Sequence, residues 1–111
     1  ETDFVVEQLR RHGVQLERSR IGILGMAFKA ETDDIRDSLS YKLAKILRFQ
    51  GATVLCSDEY VQDPTFVSKE ELLANCSAVI VAAPHAAYRD IRIPDGTHVV
   101  DVWNLVGREA Q

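Results

Sequence analysis

Arg20-Ile21-Gly22-Ile23-Leu24-Gly25 is the stretch on which the fold turns. Its apolar and glycine positions follow one another without polar alternation, and a glycine closes the run. A strand with one wet face alternates, so this one is expected to be covered on both faces. Three further runs read the same way: Ala52 to Ser57, Ala78-Val79-Ile80-Val81-Ala82-Ala83, and His98-Val99-Val100-Asp101-Val102.

Helical patterns separate these runs. Asp3 to His12 reads as a helix with Phe4, Val5 and Leu9 apolar and Gly13 as its stop, and the charged stretch Gln15 to Arg20 as a connector. The apolar stripe Phe4, Val5, Leu9 is expected to be covered by a part of a longer protein. Asp37 or Ser38 caps a second helix, whose Leu39, Leu43, Ile46 and Leu47 repeat at helical spacing before Gly51 ends it. Ser68-Lys69-Glu70-Glu71 has the capping-box pattern and leads into Leu72 and Leu73. Alternating strands and helices of this kind predict one α/β domain, a doubly wound, mostly parallel sheet with helices on both faces. In such sheets ligands bind beyond the carboxyl ends of the strands, here the loops after Gly25, Ser57, Ala83 and Asp101.

Composition narrows the function classes. At 111 residues and 46% hydrophobic content the chain can bury a core without disulfides. Cys56 and Cys76 therefore read as small core hydrophobes in a reducing, cytoplasmic setting, each inert and not nucleophilic. A formal net charge of −4 argues against nucleic acid as the partner, and Arg10, Arg11, Arg18 and Arg20 read as a solvated cluster. No apolar run approaches the ~20 residues that span a bilayer, so no membrane partner is expected. His12, His85 and His98 lack zinc-ligand spacing, and no metal site is expected.

Chemistry concentrates in the polar stretch after the first strand. Gly22 and Gly25 suit either a ligand-approaching turn or close packing of strand on helix, and the dinucleotide pattern G-x-G-x-x-G is absent. Phe28 can stack on a ring, Lys29 can meet a phosphate or a sugar oxygen, and Arg36 stands just before a helix start. Equally, Asp33, Asp34 and Asp37 can serve the helix N-terminus with Arg36 as their ion-pair partner. Asp58 ends the second strand and suits a ribose or an ordinary loop, while His85, after Ala83-Pro84, suits the cleft or a solvated loop. Trp103 reads as a packing or interface residue.

Gly25-Met26-Ala27-Phe28-Lys29-Ala30-Glu31-Thr32-Asp33-Asp34-Ile35-Arg36-Asp37-Ser38 resembles the G-x-x-F-K-x-x-T-x-D-x-R-x-S signature of the UDP-glucose/GDP-mannose dehydrogenase family, without a gap. Gly51-Ala52-Thr53-Val54 with Asp58, Ala78 to Pro84, and Val99-Val100-Asp101 are similar to later strands of that family's C-terminal, Rossmann-like domain. The resemblance implies a nucleotide-sugar-binding domain over residues 20–111, preceded by the end of an inter-domain helix over residues 1–14. Glu1 in place of a methionine fits a piece of a longer enzyme.

That enzyme would oxidise the C6 hydroxyl of a nucleotide-linked hexose to a carboxylate with NAD, for polysaccharide biosynthesis, as a homodimer or higher oligomer. The resemblance makes Gly25, Phe28 and Lys29 substrate-binding and Arg36 cofactor-side. It favours a UDP-sugar over a GDP-sugar. It puts the catalytic cysteine and most of the NAD site outside this chain, which alone is expected to be inactive. Two departures stand out. Trp103 and Asn104 occupy positions where many members carry an arginine that reaches a neighbouring subunit, and Asp58-Glu59 replaces the usual Asp-Pro. Two competing readings are a receiver-type phospho-signalling domain using Asp33 and Asp34 for Mg²⁺, and a pure dimerisation module.

Overall fold

A computed structural model describes residues 2–26 and 39–102. Within them lie helices α1 (Thr2–Arg11), α2 (Leu39–Phe49) and α3 (Lys69–Asn75). The strands are β1 (Arg20–Leu24), β2 (Thr53–Ser57), β3 (Ala78–Val81) and β4 (His98–Asp101). All four strands are parallel and lie in the order β2-β1-β3-β4. The expected doubly wound α/β sheet is therefore present, and the order reverses between β1 and β3.

Side-chain alternation along each strand builds two cores. Ile21 and Ile23, Val54 and Cys56, Ala78 and Ile80, and Val100 face α1 and α2. Leu24, Leu55, Val79 and Val81 face α3, where they meet Leu72, Cys76 and Tyr88. Gly22 serves the second core by having no side chain. A Cβ there would collide with Leu72, so the close-packing reading of this glycine is the correct one.

The helices follow their sequence signals with two differences. Ser68 caps α3, its Oγ accepting the Glu71 N–H at 3.0 Å. In α2 the buried face is Ser40, Leu43, Ala44 and Leu47, while Leu39 and Ile46 are only partly covered. The face is turned toward Ser40 because its hydroxyl donates to the Gly25 carbonyl at 2.6 Å, so a polar residue sits where the apolar pattern put none. The residues offered as caps, Asp37 and Ser38, lie outside the described residues.

The stripe on α1 is corrected more sharply. Val5 and Leu9 are not left for another part of the protein. They are 1% and 0% exposed within this domain, packed with α2 and the sheet, and only Phe4 remains open at 55%. Leu16, in a 3-10 turn over Leu16–Arg18, joins the same core, so the charged connector is also an anchor. Arg10, Arg11, Arg18 and Arg20 are largely open to solvent as expected, with Arg11 paired to Glu7 at 3.3 Å. Both cysteines are buried and free, and burial pushes the Cys76 thiol up to about 11.

Beyond α1 lies a contact that sequence spacing gave no hint of. The rings of His12 and His98, the latter opening β4, stand 5.6 Å apart, and both His12 ring nitrogens are buried without a hydrogen-bond partner among the described residues. Burial, then the neighbouring His98, lowers the His12 pKa from 6.5. A lowered histidine value means the folded state resists the proton that the unfolded chain accepts. Stability is thus fully present above pH 6.5 and is lost as the pH falls from there through the folded value. Urea midpoints measured from neutral to mildly acidic pH should fall, and His12→Gln should flatten that slope. An unchanged slope in the variant would remove His12 as its source.

Candidate functional site

The carboxyl ends of β1, β2 and β3 converge where the strand order reverses, the position at which doubly wound sheets bind ligands. Gly25, the first residue after β1, has φ +98 and carries the chain out of the sheet. Its N–H donates to the Ser57 carbonyl at 2.8 Å, and the Ala82 N–H donates to the Leu24 carbonyl at 2.8 Å. A Cβ on Gly25 would stand 2.5 Å from the Ala83 Cβ and 2.7 Å from its backbone nitrogen. The glycine is needed here both for its backbone angle and for close approach to the chain leaving β3.

Asp58 draws the three strand ends together. Its Oδ2 accepts the Met26 N–H at 2.5 Å and lies 3.1 Å from His85 Nε2, while Oδ1 accepts the N–H groups of Tyr60 at 2.7 Å and Val61 at 3.0 Å. The Asp58 and His85 side chains are both 0% exposed. Burial opposes ionisation of the carboxyl, but the donors Tyr60, Met26, Val61 and His85 outweigh it and hold its pKa below the usual value. An ionised carboxylate only accepts, so Nε2 of His85 carries the proton in this pair. The imidazole is walled by Tyr60 at 4.9 Å, edge-on, and by Tyr88 at 5.3 Å between ring centroids. Burial, then the charge on Asp58, pushes the Tyr88 phenol far above its ordinary range, so it stays protonated and neutral at pH 7.

These observations decide several open alternatives. Asp58 does not present itself to a ribose, since its oxygens are buried and engaged by the chain itself. His85 is neither a solvated loop residue nor a cleft-lining one. Gly25 stands at the switch point of the sheet. Phe28, Lys29 and Arg36, with Trp103 and Asn104, lie outside the described residues. The Asp58–His85 pair escaped the sequence reading because 27 residues separate its members and only the placement of β1 between β2 and β3 joins them.

The described residues also test whether this domain suits a dinucleotide. It has no glycine-rich fingerprint, its β2 carboxylate is consumed internally, and its switch-point glycine packs on Ala83. They do not fit NAD as a resident group.

The profile of the UDP-glucose/GDP-mannose dehydrogenase family, UDP binding domain, matches residues 22–108. The chain belongs to this family. A UDP-N-acetyl-D-mannosamine dehydrogenase of Pyrococcus horikoshii is 29% identical over 105 residues, which are 95% of this chain and 22% of that protein. Among solved structures, a UDP-glucose dehydrogenase from Pyrobaculum islandicum superposes with a TM-score of 0.76 at 30% identity, over 90% of this chain and 25% of that one. The NDP-N-acetyl-D-galactosaminuronic acid dehydrogenase of Methanosarcina mazei Go1 gives 0.69 at 31% identity, over 81% and 20%. The chain thus spans about a quarter or less of these three relatives. A UDP-binding domain of nucleotide-sugar dehydrogenases replaces the receiver and dimerisation readings, neither of which gains support.

Proposed function

We propose that this chain supplies the nucleotide-sugar-binding domain of an NAD-dependent dehydrogenase that oxidises the C6 hydroxyl of a nucleotide-linked hexose to a carboxylate. The observation that carries this reading is the placement of the signature segment's root. Gly25 and Met26 leave the sheet at its switch point, pinned by Ser57, Ser40 and Asp58, where a ligand-binding segment belongs. Gly25, Phe28 and Lys29 would contact the nucleotide sugar, and Arg36 would serve the cofactor side. A UDP-sugar is favoured over a GDP-sugar, in keeping with the names of the relatives above. The enzyme would act in the cytoplasm as a homodimer or larger assembly, in polysaccharide biosynthesis, with residues 1–14 as the end of an inter-domain helix. No helix among the described residues is long and apolar enough to cross a membrane.

NAD, when bound, supplies hydride acceptance, and that site would lie mainly on another part of the enzyme. This chain's own contribution is to bind and orient the sugar nucleotide and to shield it from water. The 111-residue chain should therefore produce no NADH from any nucleotide sugar, while the intact enzyme does so from a UDP-sugar in preference to a GDP-sugar. NADH formed by the chain alone would overturn this reading. So would an intact enzyme indifferent to both sugar nucleotides.

A further inference from the structure

We propose that Asp58 and His85 form a buried positioning pair which, through the Met26 N–H, sets the root of the segment carrying Phe28 and Lys29 for nucleotide-sugar binding. The inference rests on the reading of that segment given above and adds two buried residues behind it.

The two oxygens of the Asp58 carboxylate serve different partners. Tyr60 and Val61 donate to Oδ1 from two and three residues downstream, a local turn that an asparagine would make equally well. The contacts that require a second acceptor oxygen are the other two. They run to Met26, 32 residues upstream at the exit of β1, and to His85, 27 residues downstream beyond β3. A fully buried charge is costly unless it is engaged, and among the described residues four donors engage it. The burial of both side chains strengthens those bonds, and the rings of Tyr60 and buried Tyr88 flank the imidazole.

Geometry also says what the pair acts upon. Met26 is itself 1% exposed, and its neighbour Gly25 is held by Ser57 and Ser40. The Met26 amide is thus the last described anchor before Phe28 and Lys29, two and three residues on. Its direction decides how the segment leaves the sheet. His85 in turn holds Oδ2 from the side of β3, a second contact on the oxygen that accepts the Met26 N–H. Both side chains are 0% exposed, so their effect is expected to travel through the backbone.

Asp58→Asn separates the two functions. The amide oxygen can keep the Tyr60–Val61 turn, which leaves the NH₂ facing the Met26 N–H, donor against donor. In the intact enzyme this variant should raise KM for the nucleotide sugar about tenfold or more while KM for NAD⁺ stays within about twofold. His85→Leu should do the same, and His85→Gln, which restores an N–H donor, should recover most of the loss. Hydrogen–deuterium exchange on the same intact variants should show the Met26 amide opening while the amides of β3 keep their protection.

A rise in both KM values together with general loss of protection would make the pair merely structural and overturn the proposal. Unchanged sugar kinetics in Asp58→Asn and His85→Leu, with Phe28→Ala still impaired, would overturn it while leaving the role of the segment intact. Unimpaired Phe28→Ala and Lys29→Ala would remove the segment's role, and the pair's with it.

Discussion

Lys29→Ala in the intact enzyme is expected to lower kcat by about 10²–10³-fold with the fold preserved. A lysine beside an aromatic in the signature segment can act in two ways. It can neutralise the diphosphate, which helps ground and transition states alike, so its loss would raise KM and spare kcat. Or it can donate to the sugar oxygen on which charge grows during oxidation, which matters only in the transition state. The division of labour with Arg36, seven residues on, favours the second role for Lys29. Arg36→Ala should then mainly weaken the use of NAD⁺. If Lys29 and Arg36 instead serve the helix start, both changes leave kinetics near wild type and shift stability only by the small amount typical of surface substitutions. A Lys29→Ala enzyme that keeps most of its kcat and kcat/KM would dismiss the assignment.

Gly25→Ala should be strongly damaging for so small a change. Two costs combine. A side chain at φ +98 is strained, by about 1–2 kcal/mol for left-handed backbone generally. The new methyl also meets Ala83 at its backbone, and that segment cannot yield cheaply because the neighbouring Ala82 N–H is bonded to Leu24. Overpacking of this kind costs about 1–3 kcal/mol, so a total loss of about 2–5 kcal/mol is expected. Gly13 is the control. It has φ +83 but no described atom within 4 Å of where a methyl would stand, so Gly13→Ala should show the backbone cost alone. Urea denaturation of the two variants measures the difference, and equal losses would mean that β1 and β3 separate freely at their exits.

Much of this architecture was legible because burial on both faces leaves a plain trace. Ile21 to Leu24 and Val79 to Val81 are apolar without interruption, and each is a central strand. Ser68 was legible as a cap because its partner, the Glu71 N–H, is only three residues away. Where the reading failed, the deciding partner was distant. Val5 and Leu9 have the same spacing whether they face their own sheet or another domain. Ser40 joins the buried face of α2 for the sake of a carbonyl fifteen residues earlier. Asp58 and His85 look like ordinary loop residues until the topology sets them side by side. Of the candidate site, Gly25 was legible as the glycine that ends the first strand, though not its contacts with Ser57, Ser40 and Ala83. Phe28, Lys29 and Arg36 were legible only as a motif.

The seat of α1 has a consequence for how the polypeptide matures. The first helix rests against β4, the last strand described, and His12 meets His98 across that contact. Every strand pair is parallel, so none can close through a local hairpin, and β1 waits for β2 and β3 before both of its edges are satisfied. Nothing short of the sequence through Asp101 can complete the structure. A nascent chain emerging from the ribosome would therefore hold Val5 and Leu9 incompletely covered until synthesis had passed β4. The cover of α1 is thus finished only when β4 takes its place beside it.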